Sequence, residues 1–236
     1  MTRSLRILGG AGLVLMMVLV ATASAQQKGK GRNFGFGGFG GGLVSTAANE
    51  AVQKDLGVSS DLGAKITSLR DDYNAARQKE YQTAGINPQD FQNLSDEQRQ
   101  KMGQISNKLS EEFDPKLKEL LSADQLKRLN QIRLQSGLAN VGPTAITAPE
   151  VANELGLTDE QRQKLNSLAR ELGQQARGGG GGGFDPAAFA KRREERIAKT
   201  EEILTAEQKE KLAKLKGSPF DVSQLTAFGG RRGKGN

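Results

Sequence analysis

The chain repeats one short phrase four times: a leucine, a serine or threonine, two residues of which at least one is acidic, and a glutamine. The copies are Leu94-Ser95-Asp96-Glu97-Gln98, Leu121-Ser122-Ala123-Asp124-Gln125, Leu157-Thr158-Asp159-Glu160-Gln161 and Leu204-Thr205-Ala206-Glu207-Gln208. A hydroxyl in the first cap position accepts from the backbone N–H three residues on. A glutamine at that third position reaches back to the cap's own N–H, so two donors that a helix start leaves unpaired are satisfied together. Acidic residues in the first turn complement the positive end of the helix dipole. Ser95 with Gln98, Ser122 with Gln125, Thr158 with Gln161, and Thr205 with Gln208 are therefore four structural helix-cap pairs, and each predicts a helix beginning at its hydroxyl.

The residues downstream of each start are equally regular. Eight residues past the leading leucine stand Met102, Leu129, Leu165 and Leu212, and eleven past it stand Ile105, Ile132, Leu168 and Leu215. A fifth, degenerate copy begins at Val58-Ser59, has Ile66 and Leu69 at those offsets, and carries Leu62 in place of the glutamine. A spacing of three puts both side chains on one helix face. All ten positions are apolar in a chain whose hydrophobic fraction is 36%. They form an apolar stripe whose default role is core packing, with a partly open groove as the alternative.

Helices are expected near 46–56, 60–83, 96–113, 123–136, 148–155, 159–176, 186–203 and 206–216. Gly57, Gly137, Gly156 and Gly217 fall where helices stop, and Pro115 predicts a break near Asp114. No stretch alternates with period two over enough residues to argue a sheet, so the fold class is all-α: tandem helical hairpins of amphipathic helices flanked by disordered Gly-rich tails. Leu56-Gly57-Val58-Ser59 matches Leu155-Gly156-Leu157-Thr158 at an offset of 99, and Glu119-Leu120-Leu121-Ser122 matches Glu202-Ile203-Leu204-Thr205 at 83. The body divides into unit 1, residues 45–142, and unit 2, residues 145–227, the second carrying a glycine linker at 178–183.

The ends differ from this body. Arg3 and Arg6, the short apolar run Ile7 to Val20, and Ala23-Ser24-Ala25 read as a signal peptide, residues 1–25, cleaved after Ala25. An uncleaved anchor is the alternative. Residues 26–42 form a glycine, phenylalanine and basic tail, and 228–236 a second basic one; both are expected to be disordered. Removing Arg3, Arg6, Lys28, Lys30, Arg32, Arg231, Arg232 and Lys234 from 34 basic residues leaves 26 against 27 acidic ones, so the basicity belongs to the ends. A near-neutral body argues against a nucleic-acid surface.

The chain has no cysteine and no histidine. That excludes disulfide stapling and removes the commonest metal ligand and neutral-pH base. Asp71-Asp72, Glu111-Glu112 and Glu201-Glu202 read as solvated helix faces rather than catalytic pairs. The glycine run lacks the lysine and hydroxyl residue of a phosphate loop. No enzyme, catalytic residue, cofactor or metal site is expected.

Leucine, serine or threonine, two residues and glutamine at helix starts, behind an export signal, resembles the LTxxQ (Spy/CpxP-like) periplasmic family, over residues 50 to 216. The resemblance implies a helical-hairpin fold, a cradle commonly built by a dimer, and a role in envelope stress or ATP-independent chaperoning. This chain departs from the family in having about twice as many motif copies, glycine tracts and a near-neutral body. The histidines with which some members hold zinc are absent, so zinc is not carried over.

The expectation is thus a periplasmic or secreted helical binding protein, an ATP-independent chaperone or envelope-stress adaptor that shields apolar segments of unfolded or envelope proteins, with a sensor protein as one conceivable partner. Its two halves would mimic, within one chain, the dimer of single-copy relatives. The alternative is a structural tether whose basic tails grip an anionic envelope polymer. Neither reading involves nucleic acid, or stable membrane insertion after signal cleavage.

Overall fold

A computed structural model describes residues 42–178 and 186–225. The expected signal peptide, the tract up to residue 41, the glycines 179–183 and the tail 228–236 lie outside the described residues. Within them are ten α-helices, two short 3-10 turns and no strand. The helices come as the same series twice. Two very short ones, α1 (Leu43–Ala47) and α2 (Glu50–Asp55), precede the hairpin of α3 (Ser60–Thr83) and α4 (Asp96–Leu120), and α5 (Ala123–Val141) follows. Then α6 (Pro143–Ile146) and α7 (Pro149–Leu155) precede α8 (Asp159–Gly178) and α9 (Pro186–Glu202), and α10 (Ala206–Lys216) closes the series. The duplication therefore extends to α1 and α6, where the sequences no longer look alike.

Helices of four and five residues do not hold themselves; burial holds these. Leu43, Val44 and Ala47 of α1 are at most 2% exposed, and α1 packs on α3, α4 and α5. Ala145 and Ile146 of α6 are fully buried, and α6 packs on α5, α8 and α9. Each series thus wraps a short apolar plug. The plugs share a wall: one apolar core includes Leu129 and Ile132 of α5, and the other begins with Leu134 and Leu138 of the same helix.

Four local expectations are corrected. The 46–56 segment is two helices, because Asn49 turns the chain and its Oδ1 accepts from the Ala51 and Val52 N–H groups, starting α2 afresh. The basic tail does not reach residue 42; Gly42 is buried as the N-cap of α1. α4 is not broken at Asp114 and runs on past Pro115 to Leu120. The proline removes one bond, to the Glu111 carbonyl on the exposed side, while Phe113 and Leu117 are 4% and 0% exposed and hold the helix across the gap. Nor does α5 stop at Gly137. It continues through buried Leu138 and Ala139, and the stop is Gly142, whose φ of 60° and ψ of −120° suit glycine. A β-carbon there would also collide with the Arg196 side chain.

The chain after α10 returns to the first series. Phe220 and Leu225 pack against the first core. One face of α5 straps this segment down: Gln135 Nε2 donates to the Lys216 and Ser218 carbonyls at 2.7 and 2.8 Å, and the Phe220 N–H donates back to Gln135 Oε1 at 2.8 Å. Arg128 donates to the Ser218 carbonyl at 2.6 Å and pairs with both oxygens of Asp55 at 2.7 and 3.0 Å.

Candidate functional site

At all four motif copies the cap is reciprocal. The Gln98, Gln125, Gln161 and Gln208 N–H groups each donate to the cap hydroxyl at 3.2 Å, and the Ser95, Ser122, Thr158 and Thr205 N–H groups donate to the glutamine Oε1 at 3.0–3.1 Å. The spacing did not show what the other end of each glutamine does. Its Nε2 donates to a carbonyl of a neighbouring turn: Gln98 to Gly85 at 3.5 Å, Gln125 to Leu56 at 3.3 Å, Gln161 to Ile203 at 3.1 Å and Gln208 to Gly156 at 3.2 Å. Glutamate caps a helix as well as glutamine does. Only glutamine brings donors too. The motif is therefore a cap and a stitch together, and the stitch explains the residue type.

In the second series two motifs meet face to face. Gln161 Nε2 donates to Gln208 Oε1 at 2.6 Å, and Gln208 Nε2 returns to Gln161 Oε1 at 2.9 Å. In the first series the corresponding partner is the degenerate copy. There Ser59 Oγ accepts from the Leu62 N–H at 3.3 Å, and the Leu62 side chain packs on the first core instead of returning a bond. Three copies also carry an exposed ion pair one turn on, Lys101–Glu97, Lys164–Glu160 and Lys211–Glu207. In the remaining copy Arg128 leaves its turn for Asp55.

Of the stripe residues, Ile66, Leu129, Ile132, Leu165 and Leu212 are fully buried and Ile105 nearly so. Leu69 and Met102 pack half-buried on the first core and Leu215 on the second. Leu168 is also half-buried. The caps and stripe are thus scaffold, spread through both cores rather than gathered at one place.

Among the openings that the scaffold leaves is a cleft of about 760 Å³, walled by α4 and α5 of the first series and α7 and α10 of the second. Leu126, Leu134, Val151 and Leu215 supply its apolar lining, and the buried N-cap Gly42 lies at its edge. Three cations, Lys127, Arg133 and Lys214, stand among three carboxylates, Asp114, Glu150 and Glu154. Burial raises the Asp114 carboxyl above its ordinary range, and Arg133 and Lys118 partly offset this. Burial pulls the Arg133 guanidinium down while Asp114 and Glu150 pull it back. The result is a partly desolvated, charge-balanced trough with greasy walls. Its size is that of a ligand site, and its mixed lining suits an amphiphilic segment more than a single small charged molecule. Ala123 of the second motif copy and Leu215 of the stripe link it to the motif pattern. The signal that would have found it is the run of polar residues, Lys127, Asn130, Gln131 and Arg133, on a helix otherwise rich in buried positions.

Among the described residues no group of three or more carboxylates is placed to hold a metal ion, and no helix is long and apolar enough to cross a membrane. No family model, no curated protein and no solved structure matches the chain.

Proposed function

We propose that the chain is an exported helical binding protein that shelters apolar segments of unfolded or envelope proteins without ATP, and that the cleft between the two series is where it does so. The observation that carries this reading is the lining: half-buried Leu126, Val151 and Leu215 beside equal numbers of cations and carboxylates. Such a surface accepts apolar side chains without demanding a particular charge. The resemblance of the helix starts to the LTxxQ family and the export-like first residues support the same reading. The test is suppression of aggregation of an unfolded model polypeptide by the purified chain, compared with V151S and L215S, small polar changes at positions that also pack on the second core. The wild type should suppress at a few-fold molar excess, and the two variants should lose most of that effect while keeping their helicity. Equal suppression by all three would place the activity elsewhere, and none by the wild type would end the reading.

One observation favours the alternative of a tether. The Asn49 side chain donates to the Gln224 carbonyl at 3.1 Å, so the end of the described chain lies beside the turn between α1 and α2, seven residues after its start. Two basic tails on one chain would engage one polyanion together, and binding would fall steeply with salt.

A further inference from the structure

We infer that the resident occupant of the cleft is the chain's own glycine-phenylalanine segment, residues 33–41, which unfolded polypeptides must displace. This rests on the reading of the cleft as a polypeptide site and adds a built-in competitor to it. The first argument is position. Gly42, where the described chain begins, is itself a lining residue of the cleft, so the preceding residues are delivered to its edge. Phe39 lies three residues upstream and Phe34 eight. At about 3.3–3.6 Å per residue, both reach any part of a trough this size.

Chemistry is the second argument. The segment reads Asn-Phe-Gly-Phe-Gly-Gly-Phe-Gly-Gly from Asn33 and carries no charge, which matches walls where Lys127, Arg133 and Lys214 balance Asp114, Glu150 and Glu154. In extended backbone Phe34 and Phe36 project from the same side, about 7 Å apart, with only a glycine between them. Two rings so spaced suit the part of the trough lined by Leu126, Val151 and Leu215. The glycines set the strength. Ordering them costs more backbone entropy than ordering other residues, which keeps the contact weak enough to exchange, while the tether holds the rings at an effective concentration on the order of millimolar.

The absence of cysteine makes the test clean. In the full chain, Phe36→Cys is combined with Val151→Cys, or with Leu215→Cys as a second partner should the first disturb α7, and disulfide formation within the chain is timed under mild oxidation. Adding F34S and F39S should slow it by about tenfold, because the rings no longer seat the segment. In a second arm, F34S/F36S/F39S should bind reduced, carboxymethylated α-lactalbumin about five- to tenfold more tightly than wild type, since the site is freed. An unchanged disulfide rate, or a disulfide formed only between two chains, overturns the inference. If the probe binds neither protein but the serine substitutions still slow the disulfide, self-occupancy stands and the client reading falls. If the probe binds both equally and the rate is insensitive, the reverse holds.

Discussion

The two hairpins begin alike and are built differently. In α4 the residues Ile105, Leu109, Phe113 and Leu117 are all buried, and the Phe113 ring meets Tyr73 of α3 edge-on at 5.5 Å. At the equivalent positions α9 carries Ala188, Arg192, Arg196 and Thr200, and Tyr73 is replaced by Leu172. The first hairpin is therefore a core element along its whole length. In the second, burial concentrates at the base, on Leu165 and Thr200, whereas Leu168 and Leu172 stay half-buried. Arg196 does other work where Phe113 would have packed. It donates to the Ala139 carbonyl at 3.2 Å and to that of Asn140, closing the C-terminal end of α5, where a cation also suits the helix dipole. Duplication kept the helix starts, which are local devices, and let the packing diverge, because packing depends on what each copy meets.

This contrast can be broken in several places. The largest effect is expected from Phe113→Ala, which should cost about 3–5 kcal/mol by denaturant unfolding. Arg196→Ala at the equivalent position should cost about 1–3 kcal/mol, through lost bonds to carbonyls rather than a cavity. Equal losses would mean the second hairpin is as well packed as the first. Next comes Gln208→Glu, which keeps the cap but removes the donor to Gly156 and sets a carboxylate against Gln161. A loss of about 1–3 kcal/mol at neutral pH is expected. No loss at neutral pH would show that the stitch contributes nothing.

Smaller effects should be shared by both series. Ser95→Ala and Thr158→Ala each remove a cap hydroxyl and should cost about 0.5–2 kcal/mol, similar in the two halves because both caps are exposed. A large difference between them would mean the caps are not local. Least of all is Glu160→Gln. Lys164 holds that carboxylate below its ordinary range, so its contribution is present above the unfolded pKa and fades as pH falls below about 4.5. Both partners are solvent-exposed, and no measurable shift of the melting midpoint is expected at neutral pH.

The parts of the fold that were legible beforehand are those that a few neighbouring residues decide. A hydroxyl and a glutamine three apart specify a helix start, and spans such as 60–83 and 206–216 come from their stripes and caps. Pro115 and Gly137 misled because their local preference for ending a helix is overruled by Phe113, Leu117 and Leu138, whose burial depends on distant elements. The strap through Arg128 and Gln135, the second bond of each motif glutamine and the cleft itself are contacts across 13 to 90 positions of sequence, and no periodicity announces them. Gly142 was hidden in part for the same reason: besides its positive φ, what leaves no room for a β-carbon there is Arg196, on another helix.

The central proposal is that polypeptide is received in the trough between the series and not on the half-buried face of the second hairpin that carries Leu168 and Leu172. The most direct measurement places a photo-crosslinking side chain at Val151 in one protein and at Leu172 in another, each mixed with reduced, carboxymethylated α-lactalbumin. Capture at Val151, with little or none at Leu172, is the predicted result. Capture at Leu172 without capture at Val151 would contradict it.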